Sequence, residues 1–336
     1  MFLEKHWQRI TPITLILLPL TLIFWLAQAL RRKLFALKVF KSTKCQVPVI
    51  IIGNLYVGGT GKTPTVIWLA DALLSDGFRP GIVSRGYLGK KTNQEVLADS
   101  DPRDVGDEPV LIKTRTRCPT WVSPNRPKGC EQLLKAHPEI DIIISDDGLQ
   151  HYQLQRDVEV VVIDSERTFG NTLLLPSGPL REPISRLKKS DVAIINGSGN
   201  IDISEKLQIP TYELELIGDR FESLVSHDSA CYASEFEGKS ITAIAGIGNP
   251  NRFFNSLEKL GLAFQQRPLP DHYPLSEDLI RSIKSEVILM TEKDAVKLSG
   301  IQDARCWYLP VSATIAPECF ENIKKTIEKN YGRKTS

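Results

Sequence analysis

A glycine-rich segment that ends in Gly-Lys-Thr is the part of this sequence best suited to chemistry. It reads GNLYVGGTGKTP over residues 53–64, directly after the β-branched run VPVIII at residues 47–52 and before an amphipathic stretch. Strand, glycine loop and helix in this order are typical of a P-loop. Glycines let backbone N–H groups curl around phosphate oxygens, and the helix dipole adds to that field. The predicted nucleotide-binding residues are Asn54, Val57, Gly58, Gly59, Thr60, Gly61, Lys62, Thr63 and Pro64.

Two residues of this loop have separate chemical roles. Lys62 is expected to reach the β- and γ-phosphates of ATP and so to act in catalysis, while the Thr63 hydroxyl is expected to ligate Mg²⁺. The loop departs from the usual pattern at Tyr56, where the first glycine would stand. A glycine turn that merely opens a helix is the alternative, but such a turn does not require a lysine and a threonine directly after it.

A pair of adjacent carboxylates follows a second buried-strand pattern. The run IDIIIS at residues 140–145 leads into Asp146 and Asp147. Ligands of α/β sheets bind beyond the carboxyl ends of the strands, and an Asp there helps to hold Mg²⁺ in P-loop enzymes. Adjacent acids also occur in ordinary polar turns. With a P-loop upstream we predict that both are metal ligands, and the sequence leaves open which of them binds directly.

The amino-terminal segment predicts contact with a membrane. Residues 13–30 are uncharged, and as a helix they would be about 27 Å long against a hydrocarbon core of about 30 Å. Residues 1–45 carry eight Lys or Arg and one acid, so this segment is +7 and the remainder −5. A spanning anchor is favoured over a helix buried in one leaflet. A cleaved signal peptide is rejected because Arg31, Arg32 and Lys33 follow at once and hold that flank in the cytoplasm.

Composition and charge exclude several other classes of protein. Apolar residues make up 42% and charged residues 24%, as in ordinary globular proteins. The basic amino terminus suits anionic membrane lipids, and the acidic remainder argues against a nucleic-acid binder. The six cysteines show no C-x-x-C pair and fit a reducing compartment. Nothing in the sequence implies a protein partner.

Alternating strand and helix patterns predict an α/β fold with a mostly parallel sheet covered on both sides. Around residues 200–235 the pattern changes to two half-buried strands, residues 212–216 and 221–225, which are expected to form a ribbon joining two halves. The predicted organisation is a membrane anchor helix at residues 1–33, a P-loop NTPase-like kinase domain at 34–210, and the linker ribbon with a smaller second α/β domain at 211–336.

Eight blocks follow one another along nearly the whole chain: GNLYVGGTGKTP (53–64), SRGY (84–87), VGDEP (105–109), SDDGLQH (145–151), LLPSGPLREP (174–183), AGIGNPNRFF (245–254), PDHYP (270–274) and MTEKDAVK (290–297). In this order they resemble the tetraacyldisaccharide 4′-kinases of lipid A biosynthesis. The resemblance implies transfer of the ATP γ-phosphate, with Mg²⁺, to the 4′-hydroxyl of a tetraacyldisaccharide 1-phosphate, forming lipid IVA. It implies a lipid-linked disaccharide as substrate and the cytoplasmic face of a bacterial inner membrane as location.

The resemblance also assigns site residues by position. Asp107 and His272 resemble the catalytic pair of the family and join Lys62 as the predicted catalytic residues. A carboxylate–imidazole pair can take the proton of a hydroxyl as attack proceeds. Glu182 is implied to lie near the metal. The residues predicted to contact the disaccharide or its phosphate are Ser84, Arg85, Gly86, Tyr87 and Arg126.

One departure from the family and one competing hypothesis remain. Tyr273 stands where many relatives have a second histidine. The runner-up function is a membrane-associated P-loop NTPase that acts as a switch without a lipid acceptor. Against it, the chain lacks an Asn-Lys-x-Asp guanine signature, and Val57 stands where related assembly ATPases have a lysine. A kinase for a soluble molecule would give no reason for the apolar anchor.

Overall fold

A computed structural model describes residues 3–197, 208–226, 229–298 and 300–331. In these ranges the chain forms two mixed sheets. The nine strands of the first sheet are β1 Val49–Gly53, β2 Pro80–Ser84, β3 Gln94–Val96, β4 Thr120–Val122, β5 Ile142–Asp146, β6 Val158–Asp164, β7 Val192–Asn196, β8 Thr211–Ile217 and β15 Ser312–Ile315. The six strands of the second are β9 Arg220–Ser223, β10 Ala230–Tyr232, β11 Ile241–Ala245, β12 Gln265–Pro268, β13 Val287–Thr291 and β14 Cys306–Leu309.

Helices cover both sheets. The first sheet has the order β15-β8-β7-β6-β1-β5-β2-β4-β3 and the second β10-β9-β14-β13-β11-β12. Seven neighbouring strands of the first sheet, from β8 to β4, run parallel, which confirms the predicted fold class. The helices are α1 Pro12–Ala36, α2 Lys62–Ser75, α3 Pro102–Val105, α4 Asp107–Thr116, α5 Arg126–Ala136, α6 Pro250–Lys259, α7 Glu277–Ser282, α8 Glu292–Val296 and α9 Pro317–Tyr331.

The central strand β1 places the chemistry at one edge of the first sheet. All five of its residues are buried, and alternate side chains enter the apolar cores on the two faces. It pairs in parallel with β5 and β6, so that Ile52 lies opposite Asp146. The glycine loop after β1 and the carboxylates after β5 therefore leave the sheet side by side.

The prediction that the two ribbon strands pair with each other is wrong. The two strands exist as β8 and β9, but β8 pairs with β15 in the first sheet and β9 pairs with β10 and β14 in the second. The carboxyl-terminal helix α9 also returns to the first sheet, where Cys319, Ile323 and Ile327 enter the same core as α2. The first sheet thus contains elements from beyond residue 211, the boundary expected from the sequence.

Helix α1 is longer than the apolar run and lies against the body. By length and composition it is able to cross a membrane. One side nevertheless packs on the protein: Thr14 and Thr21 are buried, and the Thr21 hydroxyl lies 2.8 Å from that of Ser177. Phe24 packs against the core on one face of the first sheet. The other side of the helix exposes large apolar residues.

Candidate active site

The glycine loop turns at two positions that favour glycine. Gly58 has φ +105° and Gly61 has φ +99°, a region that residues with a Cβ rarely adopt. A Cβ on Gly61 would also lie 2.3 Å from the Asn196 side chain. Helix α2 begins at Lys62, directly after Gly61, so its free N–H groups face the space above the loop. This is the local geometry of a phosphate site.

Asn54 holds the loop from below. Its side-chain amide is buried and donates to the Tyr56 carbonyl (2.7 Å), the Gly58 carbonyl (3.3 Å) and the Thr60 hydroxyl (3.0 Å). The Asn196 amide donates to the Thr60 carbonyl at 3.0 Å. Asn54 therefore shapes the phosphate site from within the protein.

We expect Asn54→Ala to weaken ATP binding about tenfold, the equivalent of about 1.4 kcal/mol, because the loop loses its internal donor. Isothermal titration with ATP measures the effect. The exposed Asn330 on α9 offers the matched control, and Asn330→Ala should leave ATP affinity unchanged. Equal affinities for the two variants would show that the loop keeps its shape without Asn54.

The second carboxylate of the acidic pair faces the P-loop lysine. Asp147 lies 3.6 Å from the Lys62 ammonium and 3.0 Å from the Arg181 guanidinium. Burial alone would raise the pKa of Asp147, but these two cations outweigh it and hold that pKa far below its usual range. Asp147 is therefore ionised and orients Lys62 toward the loop.

The first carboxylate is buried deeper. Asp146 Oδ2 accepts from the Ser84 hydroxyl at 2.9 Å, and its carbonyl accepts from Arg126 at 2.6 Å. Among the described residues Oδ1 has no hydrogen-bond partner. Burial, with Glu108 and Asp147 nearby, raises the pKa of Asp146. A buried carboxylate oxygen of this kind is a group that a bound cation would satisfy.

The predicted metal ligands do not all converge. Within the described ranges, no group of three or more His, Cys, Asp or Glu side chains is arranged to hold a metal ion. Glu182 is fully buried and accepts from the Tyr152 hydroxyl at 2.5 Å, on the side that faces Arg32. Thr63 lines the cavity above the loop. Since Mg²⁺ in phosphate-transfer sites usually uses only one or two carboxylates, Thr63 and the acidic pair still suit it.

A cavity of about 520 Å³ separates the two sheets above the loop. The first sheet contributes the P-loop and the second contributes the segment around Gly248 and the start of α8. Contacts close the cavity at its rim: Arg167 donates to the carbonyls of Gly59 and Gly248, and Arg115 pairs with Glu292 at 2.7 Å. The cavity has the size of a small-molecule site between two domains.

The predicted catalytic pair meets across the two sheets. His272 Nδ1 lies 3.0 Å and 3.2 Å from the two carboxylate oxygens of Asp107 at the start of α4. Lys293 approaches the other ring nitrogen, Nε2, at 3.5 Å, and it also pairs with Glu108 at 2.9 Å. Glu108 and Lys293 line the cavity together with Lys62. The pair therefore lies beside the nucleotide-sized space.

Electrostatics fix the charge of this cluster. Burial would raise the pKa of Asp107, but the hydrogen bond with His272 and the ammonium groups of Lys293 and Lys297 lower it to about 2. Burial would lower the pKa of Lys293, yet Glu108, Asp107 and Asp271 raise it above its ordinary value. A carboxylate on Nδ1 and an ammonium near Nε2 together favour the tautomer that carries its proton on Nδ1.

The predicted substrate residues fall into two groups. Tyr87 is 53% exposed, and its ring lies 5.2 Å from the His272 ring, edge on. Arg85, two residues earlier in the chain, is also exposed. Ser84 and Arg126 instead lie inside the protein. Arg126 is 2% exposed, donates to the carbonyls of Ser123 and Asp146, and has its pKa lowered to about 10, mainly by burial.

Sequence reasoning missed Arg167 and Asn196, which join the P-loop to its surroundings. Arg167 stacks on the Tyr56 ring at 5.0 Å and pairs with Asp164 at 3.3 Å. One pattern in the sequence could have identified Asn196 and Asp164, the partner of Arg167. The buried strands β5, β6 and β7 each end in a polar residue, namely Asp146, Asp164 and Asn196.

Comparisons with known proteins agree along nearly the whole chain. The LpxK family model, described as tetraacyldisaccharide-1-P 4′-kinase, matches residues 13–328. A tetraacyldisaccharide 4′-kinase of Methylobacillus flagellatus is 46% identical over 323 residues, covering 96% of this chain and 94% of the relative. One of Azoarcus sp. is 41% identical, with 98% and 96% covered.

The fold matches a solved structure as well. LpxK from Aquifex aeolicus, crystallised in complex with ATP, superimposes with a TM-score of 0.78 at 28% identity. The match covers 95% of this chain and 99% of that one. The two-sheet architecture described above is therefore shared with a nucleotide-bound relative.

Proposed function

The chain belongs to the tetraacyldisaccharide 4′-kinase family, and from this premise we propose which residues perform the reaction. The enzyme transfers the γ-phosphate of ATP to the 4′-hydroxyl of the lipid A precursor. The main support for this proposal is the contact of Asp107 with His272 beside the P-loop. The contact brings together two residues that can accept a proton, one from each half of the molecule, at a nucleotide-sized cavity. The NTPase switch without an acceptor has no use for such a pair.

ATP occupies the cavity with its phosphates on the P-loop. The N–H groups at the start of α2 and the Lys62 ammonium bind the β- and γ-phosphate oxygens, and Lys62 stabilises the charge that spreads over the transferring group. Asp147 keeps Lys62 oriented at 3.6 Å. Closure of the second sheet over the loop excludes water that would otherwise hydrolyse ATP.

The residue types around the P-loop suit a bound Mg²⁺. Thr63 and the acidic pair Asp146 and Asp147 would hold it, since Asp146 has a buried oxygen without a partner among the described residues. The ion would neutralise charge on the β- and γ-phosphate oxygens. Glu182 supports this region through Arg181 and Gln150 rather than from the cavity itself.

The proton of the 4′-hydroxyl goes to the pair. Asp107 accepts from Nδ1–H of His272 and so leaves a lone pair on Nε2. The hydroxyl donates to Nε2 as it attacks the γ-phosphate. It takes the place of the Lys293 ammonium, which lies 3.5 Å from Nε2 in the structure. Tyr87, exposed against the His272 ring, and Arg85, exposed two residues earlier in the chain, form the side on which the disaccharide approaches.

Transfer of labelled phosphate tests this function directly. The full-length protein, Mg²⁺ and γ-labelled ATP are mixed with a tetraacyldisaccharide 1-phosphate in detergent micelles, and labelled lipid is counted. We expect labelled lipid from the wild type. ATP hydrolysis without labelled lipid would favour the switch-type NTPase.

We further propose that α1 lies in the membrane plane on the cytoplasmic face and does not cross the bilayer as a separate anchor. Its buried residues and its ion pair extend from Thr14 to Arg32, so that the body lies beside the helix for about 27 Å. Large apolar residues cover the opposite side. A helix that contacts the protein along one stripe and exposes apolar residues elsewhere suits the interface better than the bilayer centre.

Polar substitutions on the exposed side of α1 test the membrane contact. Ile16, Ile23 and Leu30 follow one another at seven-residue spacing and are 75%, 63% and 59% exposed. The triple serine variant should lose roughly 3 kcal/mol of apolar transfer energy and bind vesicles at least about 100-fold more weakly. Vesicle co-sedimentation measures this. Leu74→Ser, an exposed leucine on α2, is the control, and equal binding of both variants would contradict the proposal.

A further inference from the structure

The carboxyl-terminal half of α1 reaches a buried ionic network. Arg32 Nη1 lies 3.5 Å from Glu182 Oε1, and Glu182 is fully buried. The same carboxylate accepts from the Tyr152 hydroxyl and lies 3.9 Å from Arg186, which pairs with Glu159 at 2.6 Å. Among the described residues, Arg32 is therefore one of two arginines within 3.9 Å of this buried carboxylate.

This network continues to the P-loop. Residue 181, the chain neighbour of Glu182, is an arginine that pairs with Asp147 at 3.0 Å. Asp147 in turn lies 3.6 Å from the Lys62 ammonium. Gln150 links the same two parts, since it donates to Glu182 at 3.4 Å and accepts from Arg181 at 3.4 Å. Five charged side chains, with Gln150 joining Glu182 to Arg181, thus form a path from α1 to the phosphate-binding lysine.

We propose that Arg32 is a positioning residue for phosphoryl transfer, through which the seating of α1 on the body sets the geometry of Lys62. This inference rests on the proposed function, because Lys62 and Asp147 are placed in the phosphate site there. Removal of Arg32 leaves Glu182 with one cation fewer in a buried site, so that the segment carrying Arg181 shifts. The helix then serves as more than an anchor.

Lys33 provides a matched comparison. It is adjacent to Arg32 and carries the same charge, but its side chain is exposed. Arg32→Gln and Lys33→Gln therefore remove equal charge from the membrane-facing flank, while only the first alters the buried network. Any difference between them reports on Glu182 and not on attraction to anionic lipid.

Steady-state kinetics on full-length variants, with the lipid acceptor in mixed micelles, test the proposal. We expect Arg32→Gln to lower kcat about tenfold, the equivalent of about 1.4 kcal/mol. Arg32→Lys should recover part of the loss, and Lys33→Gln should keep the wild-type kcat. Binding to phosphatidylethanolamine–phosphatidylglycerol vesicles should fall equally in the two glutamine variants.

A double-mutant cycle with Glu182→Gln gives a second, independent test. If Arg32 acts through Glu182, the double variant has the same kcat as Glu182→Gln alone, and the two losses in thermal midpoint are likewise not additive. Additive losses would overturn the proposal. So would an unchanged kcat in Arg32→Gln. Absence of lipid labelling by the wild type would instead contradict the proposed function.

Discussion

Asp107→Asn should lower kcat for lipid phosphorylation by about 10²–10⁴-fold, the usual effect of losing a general base. The amide cannot hold Nδ1–H of His272 as a carboxylate does at 3.0 Å, and it would present the ring in mixed tautomers. ATP affinity should stay close to wild type because Asp107 does not line the nucleotide cavity. Initial rates with labelled ATP, and titration with ATP, measure the two quantities.

His272→Gln is the companion to this variant. Because the two residues act as one unit, the double variant should be scarcely slower than either single one. A much smaller loss in His272→Gln than in Asp107→Asn would show that the carboxylate takes the proton itself. Wild-type kcat in Asp107→Asn would remove the pair from the mechanism altogether.

The lowered pKa of Asp107 predicts that the stability of the fold depends on pH. This pKa is lowered to about 2, below the value of the unfolded chain. Asp107 therefore stabilises the fold above about pH 4, and this contribution is lost as the pH falls through about 2. Thermal unfolding from pH 2 to 7 should show a larger acid loss in the wild type than in Asp107→Asn. An equal acid loss of stability in the two proteins would contradict the conclusion that Asp107 is ionised in the folded state.

Lys62→Ala should lower kcat by about 10²–10³-fold, since the transferring phosphate loses a preorganised positive charge. The substitution also removes one of the two cations that contact Asp147 among the described residues, so the KM for ATP should rise. Single-turnover rates at saturating ATP separate the chemical step from binding.

Lys128 on α5 provides a control for the loss of a lysine charge outside the site. Its side chain is exposed, and Lys128→Ala should behave as the wild type. If Lys62→Ala retained more than about a tenth of kcat, the loop would bind phosphate without stabilising the transition state.

The sequence by itself determined the features that are local in the chain. The phosphate loop lies within twelve consecutive residues, and strand, glycine turn and helix N-terminus are all set by neighbours in sequence. Asp146 ends its strand and Asp147 follows it, so their place at the sheet edge could be predicted from the strand pattern. The apolar run of α1 was equally visible.

Only the tertiary structure decided which distant groups meet. Asp107 and His272 are 165 residues apart, and Arg32 and Glu182 are 150 apart. A strand pattern shows which face of a strand is buried but not which strand lies beside it, and so the pairing of β8 with β15 was missed. Buried charges likewise reveal their partners only when the topology brings them together, because their pairing is set by desolvation and distance and leaves no periodic signal in the sequence.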